Sequence, residues 1–212
     1  MTIRAVVSDF GGVLTTPLIE SFAAFQEETG LTAQVLGEAM AAAAERSGRH
    51  PLFELETGRL TEEEFLAEIE AELSGRLGHR PHMHRFREIY FDALQPNPPM
   101  IELMRRLRDD GLRMAMLTNN VREWEPLWRS MLPVDEIFEL VVDSAFVGCR
   151  KPDAEIYEIL LERLGVPAAE CLFVDDVDVN CEAARSLGFT AVHFRDNEQA
   201  IAEIRAALGT PA

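Results

Sequence analysis

"IRAVVSDFGG", residues 3–12, decides how the rest of the chain is read. Ile3 to Ser8 is apolar without the alternation of a half-exposed strand, which fits a strand covered on both faces of a parallel sheet. The run ends on a carboxylate, Asp9. Two residues further, where a second carboxylate would make an acid/base partner, stands Gly11.

Four more runs of the same kind follow: "LRMAMLTNN" (112–120), "FELVVDS" (138–144), "CLFVDD" (171–176) and "TAVHF" (190–194). Helical patterns separate them. One carries Ile101, Met104 and Leu107. Another, near 153–164, sets Ile156, Ile159, Leu160 and Leu164 on one stripe, with Gly165 to end it. This alternation predicts an α/β fold: a mainly parallel, Rossmann-like sheet flanked by helices, joined by right-handed crossovers. Ligands of such sheets sit at the carboxyl ends of the strands.

Residues 17–96 break the alternation and read as helices only, near 18–29, 32–47, 62–74 and 82–93. In the third, Thr61 and Glu64 make a capping box, and Leu60 with Phe65 a hydrophobic staple. The expected division is therefore an α/β core of residues 1–16 and 97–212, and an inserted all-helical cap of residues 17–96 hanging over the strand ends.

Composition limits the function. A formal charge of −17 over 212 residues argues against nucleic acid and anionic membranes as partners. Three widely spaced cysteines make neither a disulfide framework nor a zinc ribbon. No run reaches membrane-spanning length and the N-terminus shows no secretory signal, so a reduced, cytoplasmic setting is expected. Of the 20 basic residues only Lys151 is a lysine, which singles it out in a chain that otherwise uses arginine.

Polar residues gather just after the buried runs: Asp9; then Thr118, Asn119 and Asn120; then Asp175 and Asp176. Lys151 lies in "GCRKPD" (148–153), ahead of the helix after the third run. Taken singly, each is an ordinary turn or helix entry. A parallel sheet brings all four groups to one edge.

In order and spacing these motifs resemble the haloacid dehalogenase-like (HAD) superfamily. The likeness is to its phosphatases with "D-x-G-x-V" first and "R-K-P-D" third motifs. The fourth motif, Asp175, Asp176 and Asn180, is similar to that of the phosphatase domain of soluble epoxide hydrolases. The resemblance implies a Mg²⁺-dependent hydrolase of small phosphorylated metabolites, in which Asp9 attacks phosphorus to give an aspartyl-phosphate. It implies Thr118, Asn119 and Lys151 as the phosphate grip. It implies Asp9, the Gly11 carbonyl, Asp176 and Asp175 around the metal, with Asn180 in support. Arg150, next to Lys151, either supports the phosphate site as well or points to solvent.

Gly11 keeps the carbonyl but lacks the carboxylic acid that most of these phosphatases use to protonate the leaving group. General acid catalysis is worth about 10²- to 10⁴-fold, so its loss slows such an enzyme without abolishing it. The acid is then dispensable for the substrate, or is recruited from the cap or the substrate. Two rivals remain: a catalytically weak phosphate-binding protein, and a 2-haloacid dehalogenase, which needs no metal and has no use for Asp175 and Asp176. A phosphonatase needs a cap lysine, and residues 17–96 contain none. His79, His82 and His84 read as a solvated cap loop, and Trp124 and Trp128 as packing. His50 and His193 carry no signal. Oligomeric state is not legible.

Overall fold

The structure is a computed structural model and describes residues 2–79, 81 and 83–209. All five apolar runs form strands: β1 (Ala5–Ser8), β2 (Arg113–Thr118), β3 (Leu140–Asp143), β4 (Cys171–Asp175) and β5 (Thr190–His193). They make one parallel sheet in the order β3-β2-β1-β4-β5. The chain begins at the centre, builds β2 and β3 on one side, then returns to build β4 and β5 on the other. Connections therefore diverge from the β1–β4 junction, and such a switch point opens a crevice at the carboxyl ends.

Side-chain alternation explains why the strands are apolar throughout. Val6, Met116 and Val174 join one core layer, and Val7, Leu117 and Phe173 the other. The first layer is completed by α6 (Pro98–Asp109) and α12 (Asn197–Leu208). The second is completed by α10 (Ala154–Leu164) and α11 (Asp178–Ser186). Short helices α7 (Glu125–Ser130), α8 (Val134–Ile137) and α9 (Ser144–Val147) connect the strands. Cys149, Cys171 and Cys181 are buried and free.

Between β1 and α6 lie α1 (Leu18–Thr29), α2 (Ala33–Ser47), α3 (Pro51–Glu56), α4 (Glu62–Leu77) and α5 (Phe86–Ala93). Within this insertion α1 packs on α5 and α2 on α4. The capping box of Thr61 and Glu64 is present, and Phe65, Ile69 and Leu73 are buried. The insertion leaves and rejoins the core side by side. Thr16 N donates to Gln95 O at 2.7 Å and Asn97 N to Leu14 O at 2.8 Å, around a bridge between Thr15 and Pro96. Helix α3 is absent from the sequence expectation. Its six residues, opened by Pro51, are too short to display a 3.6-residue period. Among the described residues no helix is long and apolar enough to cross a membrane.

Candidate active site

The β1–β4 crevice is where the first strand delivers Asp9 and the fourth delivers Asp175 and Asp176. Asp9 N continues the ladder by donating to Val174 O at 2.9 Å, and Asp9 Oδ1 accepts from Phe10 N at 2.7 Å. Both bonds fix the carboxylate at the strand's mouth. Lys151 Nζ reaches in from the loop after α9. It lies 2.9 Å from Asp9 Oδ1 and 2.6 Å from Asp175 Oδ2, and its side chain is only 1% exposed. The loop that carries it is clamped to the end of β2: Lys151 N donates to Asn119 Oδ1 at 2.8 Å, and Asn119 Nδ2 to Lys151 O at 3.0 Å.

Asp175 is fully buried, and its oxygens also accept from Val177 N at 2.8 Å and from Asn180 Nδ2 at 3.0 and 3.2 Å. Asp175 thus anchors Lys151 and the start of α11 together. Asp176 is half-buried, with its backbone carbonyl 3.0 Å from His193 Nε2.

Three carboxyl groups crowd one ammonium here. Burial, with the nearby charges of Asp175 and Asp176, lifts the Asp9 pKa above the usual carboxylate range despite the pull of Lys151. Burial and Asp175 likewise raise Asp176. Burial opposes the Lys151 charge, but Asp175 and Asp9 outweigh it, so Lys151 is held more firmly protonated than an ordinary lysine.

The site fits a hard divalent cation. Asp9, Asp175 and Asp176 each offer a carboxylate oxygen, all within 4.8 Å of one another, and oxygen donors suit such an ion. The backbone is shaped to allow it: Gly12, at φ 74°, presses so close to Asp176 that a Cβ there would stand 2.0 Å from Asp176 Oδ2. Gly12 N is in turn held by Thr15 Oγ1 at 3.1 Å.

Above this floor opens a chamber of about 530 Å³. Asp9, Gly11, Thr118, Asn119, Lys151 and Asp176 line its base. The sequence candidates therefore converge, with Asp175 buried beneath and Asn180 bracing it. Gly11 has an unstrained φ, yet a Cβ on it would meet Leu18 Cδ2 of α1 at 3.2 Å. A leucine methyl thus crowds the ground where an acidic side chain would begin. Arg150 also lines the chamber but bonds Glu56 of α3 (Nε to Oε2, 2.6 Å) and stacks 4.1 Å from the Phe53 ring centroid. It ties the insertion to the core rather than pointing to solvent.

Glu56 and Tyr90 reach the chamber wall without any signal in the sequence. Burial pushes the Glu56 carboxyl upward against the pull of Arg150. Trp124 and Trp128 are packed as expected, and both line the chamber, but their indole N–H groups have no partner among the described residues. His79 and His84 are exposed and off the chamber; His82 lies outside the described residues.

A family model of haloacid dehalogenase-like hydrolases matches residues 3–188. The pig bifunctional epoxide hydrolase 2 (Sus scrofa) is 30% identical over 99% of this chain and 39% of its own length. A sesquiterpene phosphatase of Aspergillus oryzae is 33% identical over 55% of this chain and 60% of its own length. The chain thus spans less than two thirds of either curated relative. A HAD family enzyme of Bacteroides thetaiotaomicron, solved in complex with magnesium and inorganic phosphate, superposes with a TM-score of 0.69. It is 21% identical, covering 91% of this chain and 94% of that one.

Proposed function

The chain belongs to the haloacid dehalogenase-like hydrolases, and on that footing we propose that it is a Mg²⁺-dependent phosphatase working through an aspartyl-phosphate on Asp9. The observation that carries this reading is the Asp9 carboxylate held against the Lys151 ammonium, beside two further carboxylates, at the switch point of the sheet. Residues 17–96 act as the cap, and residues 1–16 with 97–212 as the catalytic core.

Asp9, Asp176 and the Gly11 carbonyl would hold Mg²⁺, with Asp175 behind them, its oxygens already occupied by four donor contacts. The ion, when bound, offsets the charge of the transferring phosphoryl group. Asp9 supplies the attacking oxygen. Lys151 offers a point charge that touches nucleophile and phosphoryl oxygen alike, and the Thr118 hydroxyl and Asn119 amide hold the remaining oxygens. A dehalogenase would leave Asp176 and the Gly12 cradle without use. The relatives' phosphatase activity and the magnesium and phosphate of the structural neighbour agree with this reading. It is tested by ¹⁹F NMR with fluoroberyllate, which mimics a phosphoryl group on a carboxylate. A Mg²⁺-dependent adduct on Asp9 is expected; its absence at saturating Mg²⁺ leaves a protein that does not transfer phosphate.

The proton that Gly11 cannot provide has one further carboxyl source among the described chamber residues, Glu56. We assign it that role. Glu56→Gln is expected to lower kcat about 10²-fold on an alkyl phosphate, whose leaving group needs the proton. On an activated aryl phosphate the change should stay within about threefold. Equal losses on both substrates would mean that Glu56 only secures Arg150.

A further inference from the structure

The chamber asks for more than a phosphate. Its volume of about 530 Å³ falls within the roughly 300–1,000 Å³ of sites for drug-sized ligands. Its base carries the polar groups already described; of the walls, Glu56, Arg150 and the Tyr90 hydroxyl are polar and most of the rest is hydrocarbon. From the insertion come Leu36 and Met40 of α2, Phe65 and Ile69 of α4, and Phe22 and Phe86 of α1 and α5. From the core come Trp124 and Trp128. The rim is apolar too: Val177 and Val179 line it while 45% and 51% exposed. Even beside Asp9 part of the wall is hydrocarbon, because Leu18 lies close against Gly11.

A short polyhydroxy phosphate would leave most of this volume to water against hydrocarbon. Its hydroxyls would also compete for few partners, since Glu56 and Arg150 already bond each other. We propose, resting on the phosphatase reading, that the substrate is the phosphate monoester of a long apolar alcohol, its phosphate at Asp9 and its chain running up along the wall that α2 and α4 present to the chamber. At about 30 Å³ per heavy atom, a water's share of its liquid, the chamber takes a phosphate and a chain of about ten to twelve carbons.

The decisive experiment uses n-alkylphosphonates of two to twelve carbons. Binding to the intact protein with Mg²⁺ is measured by calorimetry below their micelle concentrations, alongside kcat/KM for the matching n-alkyl phosphates. Each buried methylene is expected to tighten binding about three- to fourfold until the chamber is full. Met40→Trp, at the α2 wall, should bring that plateau to a shorter chain, so that its ratio of ten-carbon to two-carbon affinity falls below the parent's. Affinity flat within threefold from two to ten carbons, with short phosphates hydrolysed, overturns the apolar substrate and spares the phosphatase. A chain-length rise without hydrolysis of any phosphate upholds the chamber's preference and removes the phosphatase. A plateau unmoved by Met40→Trp overturns the chain's path along the α2 wall.

Discussion

Asp9→Asn is expected to cut phosphomonoester turnover by roughly 10⁴-fold or more, as loss of a nucleophile does, while leaving the protein no less stable. The substitution is close to isosteric. The amide oxygen still accepts from Phe10 N and faces Lys151 Nζ, the two contacts that position Asp9 Oδ1. What disappears is the attacking charge and one of three crowded carboxylates. Removing a like charge from a buried cluster relieves repulsion. In EDTA the melting temperature of Asp9→Asn should therefore equal or exceed that of the parent. Added Mg²⁺, which stabilises a fold only as far as it binds the folded state, should raise the variant less than the parent. Activity retained within tenfold would remove Asp9 from the chemistry. A variant much less stable in EDTA would mean that the three carboxylates are not in mutual repulsion.

The core was legible in the sequence because a parallel strand covered on both faces must be apolar along its length. Each such run here ends near a polar residue that the sheet then carries to its carboxyl edge. Asp9, Thr118, Asn119, Lys151, Asp175 and Asp176 could be named as one group for that reason, although they span more than 160 positions. The insertion was legible as helix but not as a surface. Helix α3 is shorter than two helical turns, so no periodicity announces it, yet it brings Phe53 and Glu56 against Arg150.

Leu18 over Gly11, and His193 under the Asp176 carbonyl, are likewise products of tertiary packing. Gly11 alone reads as the loss of an acid. With Leu18 in view, it reads as part of an apolar wall that continues down to Asp9. The size of the chamber depends on how α1, α2, α4 and α5 pack, which no local pattern encodes. The expectation of a small phosphorylated metabolite came with the family resemblance, and the motifs that carry it report on the phosphate and say nothing of what it is attached to.

Lys151→Met should do the opposite of Asp9→Asn to stability, and as much damage to turnover. Nζ is the cation between Asp9 and Asp175, and both partners stay buried when it is removed. Breaking a buried ion pair from one side costs about 3–5 kcal/mol, because the remaining charge is left uncompensated. In a chain of this length that is a fall in melting temperature on the order of 10 °C. Mg²⁺ should recover part of the loss, since a bound cation would take over some of the compensation, so the deficit is expected to be largest in EDTA. Lys151→Arg should not rescue activity. A planar guanidinium cannot take the place of a compact ammonium in a slot with 1% exposure, flanked by two carboxylates and the Phe173 ring. The double variant Lys151→Met with Asp175→Asn separates the two roles. Removing the deepest carboxylate should return much of the stability, as expected of residues that share one network, while turnover stays lost because the phosphoryl group still lacks its positive partner. If Lys151→Met melts within 2 °C of the parent in EDTA, the buried charges do not depend on one another, and the lone lysine of this chain is not the keystone of its site.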